Sequence, residues 1–174
     1  MKAGFIGLGN VGAKLAGSLL RNGYDLTVHD LDRAAAQPFL DQGAAWADTP
    51  KEMAQSVDMI FTCLPSPAAC ATVMEADDGV LAAMTPGMIW AEMSTTVATE
   101  VARMAELVQA KGGHAIECPV SGGCHRAATG NIAIFAGCDR PTFERMLPVL
   151  TTLGRRVLHT GPIGSASTLK VMTN

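Results

Sequence analysis

With 174 residues, 48% of them hydrophobic and 17% charged, and a formal net charge of -3, the chain can close one full core. It has neither the basic excess of a nucleic-acid binder nor the polarity of a disordered segment. No apolar run reaches the roughly 20 residues that cross a bilayer, and Met1-Lys2 leads straight into a strand-like stretch with no leader pattern, so the expectation is a cytoplasmic protein with no nucleic acid and no membrane among its partners.

Short apolar or β-branched runs alternate with longer helical patterns. "AGFIGL" opens as a strand, after which Val11, Leu15, Ala16, Leu19 and Leu20 recur at helical spacing and Asn22-Gly23 supplies a stop. "DLTVHD" is the second strand, and Asp32 is placed to cap a helix over "DRAAAQPFL". "DMIFTCL" and "GMIWAEM" are the third and fourth strands. A helix is expected over Val97 to Lys111, with hydroxyl caps offered by Ser94 to Thr96 and Gly112-Gly113 as its close. "HAIECPV" and "NIAIFAG" follow as strands, then a helix entered at Pro141 and running towards Leu153-Gly154, then the strand "RVLHTG". A last helix holds Lys170 and Asn174, four apart and so on one face. Strands alternating with helices predict an α/β fold, a Rossmann-like, doubly wound and mostly parallel sheet covered on both faces.

The five cysteines (Cys63, Cys70, Cys118, Cys124, Cys138) form no Cys-x-x-Cys pair and read as reduced, mostly buried thiols. His29, His114 and His159 lie in strand-like runs and form no ligand cluster, so no metal site is expected.

The first loop, "GLGNVG", places Gly7, Gly9 and Gly12 in the G-x-G-x-x-G spacing directly after a strand and at the opening of a helix. The first glycine allows the tight turn, the second lets a pyrophosphate approach the backbone, and the third lets helix and strand pack closely. Gly7, Leu8, Gly9, Asn10, Val11 and Gly12 are therefore the candidate phosphate loop, with the helix N-terminus supplying N–H groups. Asp30 closes the second strand about twenty residues on, where a carboxylate accepts the ribose hydroxyls of NAD and repels a 2'-phosphate. NAD is expected over NADP. Arg33 either accommodates NADP or is an ordinary solvated side chain. Together these residues mark an NAD(P)-binding domain.

Two more strand ends face the same edge of the sheet. The prolines of "TCLPSP" turn the chain outward, so that Leu64 and Pro65 can pack on a cofactor. In "EMSTT", Ser94 and Thr95 either reach the cofactor's nicotinamide side or cap the next helix. In "ECPVSGG", Ser121, Gly122 and Gly123 either hold a carboxylate through a hydroxyl and bare N–H groups or form a plain glycine turn. His125 and Arg126 follow, either reaching a second anionic group or facing solvent.

The ordered set "GFIGLGNVG", "LPSP", "EMSTT", "ECPVSGG" and "GPIGSASTLKVMTN" resembles the β-hydroxyacid dehydrogenases, the family of 3-hydroxyisobutyrate dehydrogenase, tartronate semialdehyde reductase and 6-phosphogluconate dehydrogenase. The resemblance spans the whole chain. It implies hydride transfer between NAD and a small 3-hydroxy acid or its semialdehyde. Lys170 is then the general acid/base, Asn174 bonds substrate, Ser121, Gly122 and Gly123 bind the substrate carboxylate, and Thr95 sits near the nicotinamide. Hydride loss from a carbinol needs a base for the hydroxyl proton, and a partly desolvated lysine supplies one without metal.

The resemblance further implies that 1–162 is the NAD(P)-binding domain and that 163–174 starts an interdomain helix leading to an all-helical C-terminal domain, which carries the interface of a homo-oligomer and completes the substrate pocket. This chain lacks it, so turnover by the chain alone is not expected, and an apolar surface is expected around Leu169 and Met172. Glu117 stands where the family usually has aspartate, Ala166 replaces a glycine, and Thr173 stands where 6-phosphogluconate dehydrogenases carry histidine, which argues against that branch. Two alternatives stay open, a non-catalytic NAD-binding module and an enzyme of the imine-reductase type, although the latter usually lacks this lysine.

Overall fold

The computed structural model describes residues 1–173. Strand β1 (Lys2–Ile6) leads into helix α1 (Gly12–Arg21), whose Leu15, Ala16 and Leu19 face the core at the expected spacing. Asn22 and Gly23 end it: the Asn22 side chain donates to the Ser18 carbonyl at 2.8 Å, and Gly23 has a φ of 80°. β2 (Asp25–His29) is followed by a 3-10 turn, Arg33–Ala36, which Asp32 caps by accepting the Ala34 N–H at 3.0 Å. Then come α2 (Gln37–Leu40), β3 (Ala45–Trp46), α3 (Pro50–Ala54), β4 (Met59–Thr62) and α4 (Pro67–Glu75). The second half holds β5 (Ile89–Glu92), α5 (Ala98–Ala110), β6 (His114–Glu117), β7 (Val120–Ser121) and α6 (Gly123–Ala128). It closes with β8 (Ile132–Gly137), α7 (Arg140–Leu153), β9 (Gly154–Gly161) and α8 (Ser165–Met172). Asp139 caps α7 through the Thr142 N–H at 2.8 Å, with Pro141 in the first turn as the sequence suggests.

These strands form one sheet in the order β3-β2-β1-β4-β5-β6-β8-β7, with β9 pairing β8. The six strands from β3 to β6 run parallel, whereas β8 lies antiparallel to β6 and β7. The fold is the expected Rossmann-like α/β architecture. The chain leaves β1 towards β2 on one side and returns to β4 on the other, so the strand order reverses at β1. Open α/β sheets bind ligands at such a switch point.

Two apolar layers flank the sheet. One packs Phe5 and Phe61, stacked at 5.8 Å, against Leu15, Leu19 and the α7 face of Met146, Val149 and Leu150. The other packs Met53, Met74 and Trp90 against Val101, Met104 and Val108 of α5. Truncating Trp90, which is 1% exposed, would cost roughly 3–5 kcal/mol.

The structure corrects several expectations. The hydroxyls of Ser94 to Thr96 do not cap α5; Val97 holds that position and no side chain caps it. Strand β3 and helices α3 and α4 stand where no element was read, and at the glycine turn of "ECPVSGG" stand α6 and the two-residue β7, whose Val120 was read as the end of the preceding strand. Cys70, Cys118 and Cys138 are buried as expected, but Cys63 is half-buried and Cys124 exposed. The exposed apolar residues of α8 are Val171 and Met172, while Leu169 is half-buried. Among the described residues no helix is long and apolar enough to cross a membrane, and no group of His, Cys, Asp and Glu could hold a metal ion.

Candidate functional site

A cleft of about 860 Å³ opens over the carboxyl ends of β1, β2, β4 and β5. The glycine loop forms its floor, and each glycine there has its own reason. Gly7 has a φ of 97°, and a Cβ on it would collide with the Cys63 carbonyl oxygen. On Gly12 a Cβ would collide with the Gly7 carbonyl oxygen, so the α1 entry can approach β1 only without a side chain. Gly9 is the opposite case: a Cβ would meet nothing within 4 Å, and the bare backbone faces the open cleft. No side chain caps α1; the Ala13 N–H donates to the Gly9 carbonyl at 2.9 Å and the Lys14 N–H to the Val11 carbonyl at 3.0 Å, so the Gly12 N–H at the helix mouth, rather than theirs, is offered to an incoming anion. Asn10 and Val11 line the cleft, whereas Leu8 is buried beneath it.

Leu8 acts through its backbone, its N–H donating to Asp30 Oδ2 at 2.6 Å while the Asp32 N–H donates to Oδ1 at 2.9 Å. Two backbone donors thus fix the Asp30 carboxylate at the cleft edge, and each oxygen keeps a lone pair for a hydroxyl. Leu31, fully exposed, projects beside it and lines the cleft opposite Ala69, Thr72 and Val73 of α4. Arg33 does not line the cleft.

At the other end, Leu64, Pro65, Ser94 and Thr95 all line the cleft. Ser94 is fixed from both sides: its hydroxyl accepts the Leu64 N–H at 2.8 Å, and its own N–H donates to Glu92 Oε1 at 2.6 Å. This tertiary pairing is why the Ser94 hydroxyl is not used as a helix cap. Glu92, fully buried, also accepts from the Thr62 hydroxyl at 3.0 Å and the Cys70 thiol at 2.7 Å, and burial pushes its carboxyl above the usual 4.5. Burial, with Glu92 nearby, also pushes the Cys63 thiol up to about 12, so this cysteine in the cleft wall is a poor nucleophile.

The third wall joins α6 to α8. Gly122 and Gly123 line the cleft with Val120, and Gly122, at a φ of 132°, takes the N-cap position of α6. Ser121 pairs with Ala133 in the sheet beside them but does not itself line the cleft. Arg126 and His125 are exposed and also lie off the lining. Lys170 lines the cleft and is only 8% exposed. Its helix is seated by Glu117, whose carboxylate accepts the Ala166 N–H at 2.8 Å, the Ser167 N–H at 3.1 Å and the Ser167 hydroxyl. Opposite in the sheet stands Gly137, where any Cβ would strike that carboxylate. Asn174 lies outside the described residues.

The one cleft therefore gathers the candidate loop residues except Leu8, together with Asp30, Leu64, Pro65, Ser94, Thr95, Gly122, Gly123 and Lys170; Ser121 stays off its lining. Sequence reasoning missed Leu31 and the α4 wall, and it missed Glu92 as the support of Ser94; a lone acid in the apolar run "MIWAEM" was the available signal.

Residues 2–161 match the family described as the NAD binding domain of 6-phosphogluconate dehydrogenase. The chain is 34% identical to the 2-(hydroxymethyl)glutarate dehydrogenase of Eubacterium barkeri, over 100% of this chain and 58% of that protein. It is likewise 34% identical to the NAD-dependent L-serine dehydrogenase of Pseudomonas aeruginosa, over 98% of this chain and 57% of that one. Among solved structures, 3-hydroxyisobutyrate dehydrogenase from Salmonella typhimurium superposes with a TM-score of 0.93 at 30% identity, covering 99% of this chain and 61% of that one. The chain thus spans about three fifths of the length of these relatives.

Proposed function

Because this chain belongs to the β-hydroxyacid dehydrogenases, as an NAD-binding domain of the 6-phosphogluconate dehydrogenase type, we propose that it binds NAD along the cleft and serves the oxidation of a small 3-hydroxy acid, or the reverse reduction. The observation that carries this reading is the placement of a nearly buried lysine, Lys170, on the wall of the cleft that the glycine loop floors. The substrate class draws support from the relatives' names. Hydroxymethylglutarate, serine and 3-hydroxyisobutyrate each carry a hydroxyl β to a carboxylate.

The residues divide the work by position. The N–H groups of the glycine loop and the α1 N-terminus bind the pyrophosphate, and Asp30 accepts the adenosine ribose hydroxyls. Leu31 and the α4 wall of Ala69, Thr72 and Val73 offer apolar faces to the adenine. Leu64, Pro65, Ser94 and Thr95 orient the nicotinamide end. NAD, held by these residues, would supply the acceptor for the hydride of the carbinol carbon. Lys170 then takes the hydroxyl proton in oxidation and returns it in reduction, so charge and protons balance without a metal. Gly122 and Gly123, with Ser121 beside them, hold the substrate carboxylate, and Asn174 bonds the substrate. Residues 1–162 are the cofactor-binding unit, and 163–174 carry the lysine to it.

Calorimetric titration of the chain with NAD and NADP tests the cofactor half: NAD is expected to bind at least about tenfold tighter, some 1.4 kcal/mol, and binding of neither dinucleotide would sink it. The catalytic half is tested by Lys170→Ala in the enzyme assayed with 3-hydroxy acids. NAD affinity should hold within about twofold while turnover falls about 100- to 10,000-fold. Undiminished turnover would remove Lys170 from the chemistry.

A further inference from the structure

Arg33 is the one cation on the loop that follows Asp30, at the first position of the 3-10 turn capped by Asp32. In a dinucleotide site an arginine here is what would accommodate a ribose 2'-phosphate. Its guanidinium is turned elsewhere. The Arg33 Cζ lies 5.1 Å from the centre of the Trp46 ring, and Nη1 lies 3.5 Å from Asp48 Oδ1. The two partners are themselves coupled, since the Trp46 indole N–H donates to the same Asp48 Oδ1 at 2.6 Å.

Both partners are held by the fold. Trp46 belongs to edge strand β3, in register with Val28 of β2, and its ring lies 5.5 Å from that of His29. The Asp48 N–H donates to Glu52 Oε2 at 2.7 Å, and Thr49 next to it caps α3. A planar face and a carboxylate, fixed relative to each other, thus present a ready seat for a guanidinium.

We propose that Trp46 and Asp48 are cofactor-specificity residues, which act by holding Arg33 away from the ribose 2'-position. This rests on the NAD-cleft reading above. Discrimination against a 2'-phosphate then has two layers: Asp30 repels the group, and the cation that could compensate is engaged by Trp46 and Asp48. The second layer is shallow, because the Arg33 and Asp48 side chains are 68% and 75% exposed and exposed pairs are weak. It works as a population shift: only the fraction of molecules with Arg33 released can meet the phosphate, and apparent affinity falls by that fraction.

The test is calorimetric titration with NAD and with NADP at one ionic strength, in an Asp30→Asn background that removes the first layer. Adding Asp48→Ala should raise NADP affinity about fivefold, the worth of ~1 kcal/mol, with NAD affinity unchanged within about twofold. Trp46→Leu should act in the same direction. Arg33→Ala added to either should abolish the gain. A gain that persists without Arg33 would come from loss of negative charge alone and overturns the proposal, as does no gain at all. If the unaltered chain binds neither dinucleotide, the cleft reading itself fails, and the NAD titration of that chain separates this outcome from the others.

Discussion

The ends of β5 and β6 carry the same residue in the same register, Glu92 opposite Glu117, and both side chains are buried, at 1% and 0% exposure. Their surroundings differ. Around Glu92 the donors are one backbone N–H, a hydroxyl and a thiol, drawn from the loop after β5, from β4 and from α4. Around Glu117 they are two successive N–H groups and a hydroxyl from the first turn of α8, where the helix dipole also favours an anion. One carboxyl stitches together the loops that line the cofactor cleft; the other seats the helix that carries Lys170. A buried acid is tolerated where donors converge on it, and which donors converge decides what it holds in place.

Removing the acid that seats a helix should cost more than altering the one that joins loops. Glu117→Ala strips the acceptor from the Ala166 and Ser167 N–H groups in a place water does not reach, and stability should fall by roughly 3–5 kcal/mol in urea denaturation. Amide exchange in α8 should quicken first. A cost below about 1 kcal/mol would mean that α8 is held by apolar packing alone.

Gly137→Ala attacks the same seat from the other side. The new Cβ would strike Glu117 Oε1 and stand 2.9 Å from its Cγ, so a loss of about 2–3 kcal/mol is expected. The loss should shrink in a Glu117→Ala background, where nothing is left to strike; purely additive losses would argue against a shared cause.

Glu92→Gln probes the other strand end through pH. Burial raises the Glu92 carboxyl from 4.5 in the folded protein, so the folded state favours the protonated form. The stability this group contributes is present below about pH 4.5 and drains away as pH rises through the folded value. Glutamine does not ionise, so the variant should gain on the unaltered protein by up to ~1.4 kcal/mol per pH unit across that window. Parallel stability curves from pH 4 to 8 would show that the Glu92 carboxyl titrates in the folded protein as it does in the unfolded chain.

How much of this was legible follows the range of the interactions. Gly7, Gly9, Gly12 and Asp30 were readable because turn chemistry and strand ends are local, and the alternation of runs was enough for a parallel sheet. Strands β3 and β7 were not, since two residues carry no periodicity. For Ser94 the sequence left a helix cap open beside a place at the cofactor, because its partners, Leu64 and Glu92, are fixed by the sheet: Leu64 lies thirty residues away in sequence, just past the end of the neighbouring strand. Ser66 does cap α4 through the Ala69 N–H at 3.1 Å, and Pro67 follows it in the first turn. That start obeys the capping rules, yet the prolines around it read as a turn. Glu117 stood out only as a departure from a family pattern; the glycine that makes room for it sits twenty residues on and reveals nothing until β6 and β8 pair.

The smallest effect belongs to a third acid cluster, at the surface. Arg103 of α5 donates to Glu75 of α4 at 2.6 and 3.0 Å and to Glu100 at 2.6 and 3.1 Å, with Arg103 and Glu75 exposed to water and Glu100 half-buried. Hydrogen bonding to Arg103 lowers both glutamates from 4.5, the reverse of Glu92. Their contribution is therefore present above about pH 4.5 and lost as pH falls through the lowered values. Arg103→Ala should reduce stability slightly at neutral pH, and the difference should vanish near 1 M salt, where the Debye length is roughly 3 Å. The Glu92→Gln difference should persist in that salt, because burial sets the protonation of the Glu92 carboxyl and salt does not reach it. If both differences fade together, Glu92 is reached by solvent and the contrast between buried and surface acids in this fold collapses.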